Sequence, residues 1–327
     1  VKKLLMLMLA VLVITLAACG SDDETDSASS DDENTYQVGA TQIVEHPSLD
    51  TAYEGFKDAL TDAGLDVEYD FQSAQNDQNN VKPISDGFVA DDVDLIFANS
   101  TPSALGALQA TSDIPIVFTS VTDAVDAGLV PSMDEAGENI TGVVDLHPEQ
   151  IDKTVEFIGT YFEDATIGMV YNAGEQNSVT QVDSVKASAE EQGLEVVERT
   201  VANSSEVQQA ATTLVGEADV FYIITDNTVV SALDSVVGVA NEQDIPLIVG
   251  EPDSLAGGGF ATFGIDYHTI GYRTGEMAAE ILTGEKSPSD LPAEYPPEIQ
   301  LFINKQGAEE QGVEWNSEWD DKAQFVE

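Results

Sequence analysis

Basic residues are scarce in this chain. Its 327 residues carry 11 Lys plus Arg against 61 Asp plus Glu, for a formal net charge of −50. Nucleic-acid binding needs a basic face for phosphate, so that partner class is excluded. Cysteine is nearly absent too. Cys19 alone cannot make an intrachain disulfide or a zinc site of several thiolates. The three histidines, His46, His147 and His268, lie far apart and form no HExxH pair, so neither a metal nor another cofactor is expected. GxSxG, Walker and strand-borne GxGxxG motifs are missing as well, and Gly257-Gly258-Gly259 has no phosphate-binding context. Nothing here points to an enzyme.

Apolar residues make up 42% of the chain, enough for substantial cores. The acids are spread throughout rather than blocked, which suits a surface adapted to high salt, where a Debye length of about 3 Å at 1 M screens self-repulsion. An acidic protein held soluble at ordinary salt is the alternative. Raising sodium chloride from 0.1 to 2 M is expected to raise the melting temperature by several degrees. A flat melting temperature would count against the high-salt reading.

The one long apolar run is Leu4 to Ala18, behind a basic Lys2-Lys3. At 15 residues it is short for a membrane span and fits a signal h-region. It ends in Leu16-Ala17-Ala18-Cys19, which resembles a bacterial lipobox and implies cleavage after residue 18 and lipidation of Cys19. Residues 19–35 are then a Ser/Asp/Glu-rich acidic tether without a core. The expected location is outside the cell, anchored by lipid to the outer face of the membrane.

From Tyr36 onward apolar runs alternate with helical patterns, predicting parallel sheets with helices on both faces. The pattern occurs twice. Gly64-Leu65-Asp66-Val67 corresponds to Gly193-Leu194-Glu195-Val196, and Asp113-Ile114-Pro115-Ile116-Val117 to Asp244-Ile245-Pro246-Leu247-Ile248-Val249. The expected fold is α/β, with two similar doubly wound parallel-sheet lobes joined by a hinge. Two polar strand ends, Asn99-Ser100-Thr101 and Thr225-Asp226-Asn227-Thr228, each open a helix and offer free backbone N–H groups. Ligands of open parallel sheets bind beyond the carboxyl ends of the strands, so one small solute is expected between the lobes.

An ordered set of segments resembles the ABC-transporter substrate-binding proteins of the tryptophan/tyrosine type. It comprises Gln42–Asp50, Thr119–Asp123, Tyr171–Ser178, Asp226–Val229, Gly264–Tyr267 and Thr274–Ala278. The resemblance implies a type I periplasmic-binding-protein fold, with lobe 1 at 36–145 plus 266–297 and lobe 2 at 146–265 plus 298–327. It further implies a monomer serving an ABC permease and its ATPase, with an amino acid, most readily an aromatic one, as ligand. A nucleoside or sugar, or a sensor role with a receptor in place of the permease, stays open.

An amino acid needs partners for its carboxylate, ammonium and side chain in a desolvated cleft. Ser100 and Thr101 are candidate donors to the carboxylate, with Asn177 and Ser178 as a second anion-facing edge. Asp226 is the candidate for the ammonium, assisted by Asn227 and Thr228, with Glu251 and Asp266 as further acids. One of Ser100 and Thr101 could instead serve only as a helix N-cap, as could Asp226, and His46 could only cap the following helix or sit at the rim. Gln42, Glu45 and His46 follow the first strand, and Thr119 and Ser120 end a later one. Tyr171, with Phe97, Phe118 and Tyr222, is a strand-end candidate for the side-chain pocket or for the core. Arg199 and Arg273 lie away from these loops and read as ion-pair residues.

Overall fold

The computed structural model describes residues 35–326, so the leader, Cys19 and most of the tether lie outside the described residues. The first sheet contains strands β1 (Tyr36–Gln42), β2 (Val67–Ser73), β3 (Leu95–Asn99), β4 (Ile116–Val121) and β5 (Ile140–Val144). Its order is β2-β1-β3-β4-β5 and every pairing is parallel. β3, β4 and β5 are buried along their whole length, as strands covered on both faces must be. β2 sits at the edge and is largely exposed, which its sequence Val-Glu-Tyr-Asp-Phe-Gln-Ser tolerates.

Helices α1 (Pro47–Asp62), α2 (Gln78–Ala90) and α3 (Thr101–Ala110) cover this sheet. A fourth helix, α4 (Tyr267–Leu282), joins them from far along the chain and packs closely on α1. Glycine makes that approach possible. A Cβ on Gly271 would lie 1.9 Å from the Ala52 carbonyl oxygen, and one on Gly55 would lie 2.3 Å from that of His268. Beneath the pair, Phe56 stacks on Phe97 at 4.1 Å between ring centroids.

The second sheet holds β6 (Thr166–Tyr171), β7 (Glu195–Thr200), β8 (Val220–Ile223), β9 (Leu247–Val249), β10 (Ala261–Gly264), β11 (Gln300–Asn304) and β12 (Gln324–Val326). Its order is β12-β11-β10-β9-β8-β6-β7, with only the β10–β11 pair antiparallel. Helices α5 (Gln150–Tyr161), α6 (Gln176–Gln192), α7 (Val207–Leu214) and α8 (Leu233–Gln243) pack on it. Two lobes of the expected type are therefore present. The C-terminal segment supplies β11 and β12. Trp319 is buried against Phe157, Tyr161 and Phe260, while Trp315 stays partly exposed.

Several boundaries differ from the sequence pattern for local reasons. β1 stops at Gln42 rather than Val44, because Ile43 turns into a small core with Leu49, Ala74 and Val81. The helical pattern over residues 228–242 predicts one continuous helix, but the structure breaks it into a turn at Asn227–Val230 and α8. Ser231 Oγ donates to the Thr228 carbonyl at 2.8 Å at that break, a side-chain bond that competes with helix continuation. Both arginines are ion-paired within their own lobes, Arg199 with Glu217 and Arg273 with Glu276 and Glu294.

Candidate functional site

The carboxyl ends of both sheets face a common cavity. Val44, His46, Ser48, Leu49, Ser120, Thr122, Asp145 and Tyr267 line it from the first lobe and the hinge. Asn177, Thr225, Asn227, Val230 and Glu251 line it from the second. Its volume is about 30 Å³, so the walls nearly touch. No Lys or Arg is among these residues, and the apolar ones are Val44, Leu49, Val230 and the Tyr267 ring.

Hydrogen bonds hold the two walls together. Ser48 Oγ lies 2.6 Å from both Glu251 Oε2 and Asp253 Oδ2 of the opposite lobe. Gln181 Nε2, on α6, reaches Thr225 Oγ1 at 2.8 Å and Thr122 Oγ1 across the cleft at 3.2 Å. Asp126 of the first lobe accepts from Gln176 Nε2 at 2.9 Å and Thr180 Oγ1 at 2.5 Å, at the start of the same helix. This is a closed arrangement.

Three lining residues carry a buried polar atom without a hydrogen-bond partner: Ser120 Oγ, Asp145 Oδ1 and Asn177 Oδ1. Each such atom costs about 1–3 kcal/mol if left unpaired, so their convergence marks a site built for a polar occupant. Asp145 Oδ2 accepts from Tyr267 Oη at 3.0 Å. Burial raises the Asp145 carboxyl to about 6, with the Tyr267 hydrogen bond opposing the rise and the nearby Glu251 charge adding to it. Ser120 has a φ of 55°, beside a register shift between β4 and β5 at Phe118–Val121. That strained left-handed conformation at a bulge is characteristic of residues aimed into a site.

Of the residues expected from sequence, His46, Ser120, Asn177, Asn227 and Glu251 line this cavity. The others serve the walls from behind. Gln42 donates to Asp50 and accepts from Asn99, fastening the start of α1 to β3. Ser100 caps α3 with a φ of 134°, Thr101 Oγ1 accepts from the Thr122 amide, and Thr119 is buried outside the lining. Asp266 caps α4, Tyr171 Oη donates to Glu198, and Glu45 is exposed. Phe97, Phe118 and Tyr222 lie in the cores.

Asp226 departs most from its expected role. Its Oδ1 accepts from the Val229 amide at 2.8 Å and its Oδ2 from the Asn172 amide at 2.7 Å, both within the second lobe. The carboxylate caps a helical turn and ties two loops of the second lobe together, and it is not among the residues that line the cavity. Ser178 hydrogen-bonds to the same carboxylate, and Thr228 Oγ1 donates to Glu175 at 2.7 Å. Ser48, Thr122, Asp145 and Tyr267 line the cavity without having stood out as site residues in the sequence. Asp145 carries a signal like that of Asp226, an acid shortly after a buried apolar strand, but its place at a chain crossing suggests a hinge instead.

Two lobes closing over a small polar cavity define a hinge-type solute-binding protein. The chain belongs to the ABC transporter substrate-binding protein family, which it matches over residues 37–326. It is 44% identical over 315 residues to a tyrosine-binding protein of Clostridioides difficile, covering 93% of this chain and 90% of that one. A Streptococcus pneumonia ABC domain in complex with L-Trp superposes with a TM-score of 0.85 at 33% identity, covering 90% of this chain and 100% of that one. A Clostridium difficile substrate-binding protein with adhesive properties, in its ligand-free, open form, reaches only 0.67 despite 40% identity, covering 89% and 99%. Higher identity with poorer superposition is what a different lobe angle produces. The lobes here superpose better on the tryptophan complex than on the ligand-free, open form.

Proposed function

We propose that this protein captures an aromatic amino acid as its zwitterion between the lobes. It then hands the solute to an ABC permease driven by its ATPase, from the outer membrane face where lipidated Cys19 tethers it. One observation carries the ligand class: Asp145 Oδ1 is buried, acceptor-only when ionised, and unpartnered. An ammonium supplies the donors that such an oxygen lacks. Asn177 Oδ1 is a second acceptor for it, and Ser120 Oγ is free to donate to the ligand carboxylate. The lobes must part beyond the about 30 Å³ present here to admit the ring, which then meets the apolar side chains of the lining, Val44, Leu49, Val230 and Tyr267. With no Lys or Arg in the lining, a multiply charged anion has no counter-charge.

Calorimetry with L-tyrosine, L-tryptophan, L-phenylalanine, adenosine, glucose and 3-(4-hydroxyphenyl)propanoate tests this reading. One aromatic amino acid per chain is expected to bind. The propanoate, which lacks the ammonium, is expected to bind at least a hundredfold more weakly than L-tyrosine. Preferential binding of the nucleoside, the sugar or the propanoate overturns the ligand assignment. The tether is tested by Cys19→Ser, which is expected to move the protein from the membrane fraction to the medium.

A further inference from the structure

The second lobe contributes Asn177, Thr225, Asn227 and Val230 to the cavity from two loops, one after β6 and one after β8. Those loops are joined by acids rather than by apolar packing. Glu175, only 2% exposed, reaches from the first loop into the second. Its Oε2 accepts from Asn227 Nδ2 at 2.6 Å and the Asn227 amide at 3.2 Å. Its Oε1 accepts from Thr228 Oγ1 at 2.7 Å and the Thr228 amide at 3.1 Å. In the opposite direction, Asp226 of the second loop accepts from the Asn172 amide of the first. Asn172 Nδ2 completes the exchange by donating to Thr228 Oγ1 at 2.9 Å. Glu175 heads α6 without capping it, since its side chain makes no bond to that helix.

We infer that Glu175 is a positioning residue for the ligand, setting Asn227 in the cavity wall through this reciprocal carboxylate clasp. Both Glu175 oxygens accept two donors each, and all four donors belong to Asn227 and Thr228. With its Nδ2 held by Glu175, the Asn227 amide group has one defined orientation toward the cavity it lines. A purely structural acid has no need to bind the side chain of a cavity residue as well as its backbone. Neither carboxylate has a Lys, Arg or His partner among the described residues, so backbone, amide and hydroxyl dipoles support their charge. Burial, followed by the Glu175 charge, pushes the Asp226 carboxyl up to about 7. The clasp is therefore held at an electrostatic cost, as expected for a feature kept for geometry.

This inference rests on the cavity being the ligand site, and the experiment separates the two. Glu175→Gln, Asn227→Ala and the double variant would be compared with the wild type for L-tyrosine affinity. Amide hydrogen exchange at Asn227 and Thr228 would be followed in the ligand-free protein. Glu175→Gln replaces one acceptor with an NH₂ facing donors, so about a tenfold loss of affinity and faster exchange at both amides are expected. If Glu175 acts through Asn227, its loss adds little to that of Asn227→Ala, whereas independent effects multiply. Multiplying effects, or unchanged exchange in Glu175→Gln, overturn the inference. If Asn227→Ala binds L-tyrosine as the wild type does, the cavity assignment fails on its own, whatever the exchange shows. Should Glu175→Gln not fold, Glu175→Asp, which keeps the charge and shortens the reach, is put through the same cycle with the same criteria.

Discussion

Asp145→Asn is expected to weaken L-tyrosine binding on the order of a hundredfold or more while leaving the ligand-free protein at least as stable as the wild type. The two effects have one origin. An ionised, desolvated carboxylate facing an ammonium is worth several kcal/mol in the complex, and each 1.4 kcal/mol is tenfold in affinity. Without a ligand the same group is a buried charge with one unpaired oxygen. Asn keeps an acceptor for the Tyr267 hydroxyl and removes the charge.

The pH dependence follows from the direction of the shift. The folded carboxyl titrates near 6, above the ordinary aspartate value. Ligand binding needs the ionised form, so affinity is expected to fall below pH 6, by about tenfold at pH 5 relative to pH 8. Folding has the opposite sign. A raised carboxyl pKa means the native state binds more protons, so this group's contribution to stability is full below about pH 4 and is lost as pH rises through about 6. Asp145→Asn removes the affinity dependence and this group's share of the stability dependence, leaving that of Asp226, whose carboxyl is pushed up to about 7. Calorimetry and thermal melts across pH 4.5 to 8 measure them, and a wild-type affinity flat over that range would remove Asp145 from the site.

Gly271→Ala is expected to destabilise the first lobe by about 3 kcal/mol, lowering the melting temperature by about 6 °C. Alanine is the better helix former, so propensity alone predicts a gain. Packing wins because the added Cβ would sit 1.9 Å from the Ala52 carbonyl oxygen, a backbone atom that cannot rotate away. The α1–α4 pair must separate, loosening the core around Phe56 and Phe97. Gly87→Ala is the control. Gly87 lies within α2, and a Cβ added there would meet no atom within 4 Å, so that change is expected to stabilise by roughly 0.5–1 kcal/mol. Equal melting temperatures for the two variants would show that the α1–α4 approach is looser than described.

Much of the architecture is legible in the chain itself. The alternation of apolar runs with helical patterns locates most strands and helices within a few residues, because central parallel strands are buried on both faces and leave continuous apolar runs. The repeat announces two lobes, and acids and amides at strand ends announce the cleft side. What stays hidden is local or long-range. β12 and the antiparallel placement of β11 depend on which neighbours the tail finds, and three-residue strands leave no periodic signal. The break between Val230 and Leu233, where Ala232 leaves the helical region with a φ of −127°, leaves no mark in the apolar pattern.

The site divides in the same way. Sequence alone determined that the candidate ligand loops offer carboxylates, hydroxyls and amides but no arginine or lysine. Only the tertiary structure decided which acid is free. Asp226 and Asp145 each follow a buried strand and read alike in the chain. In three dimensions Asp226 spends its oxygens on the amides of Asn172 and Val229, whereas Asp145 keeps Oδ1 unpaired in the cavity. A carboxylate's function is set by the acceptor positions left over once the fold has taken its share. That remainder depends on residues more than fifty positions away, as Asn172 is from Asp226.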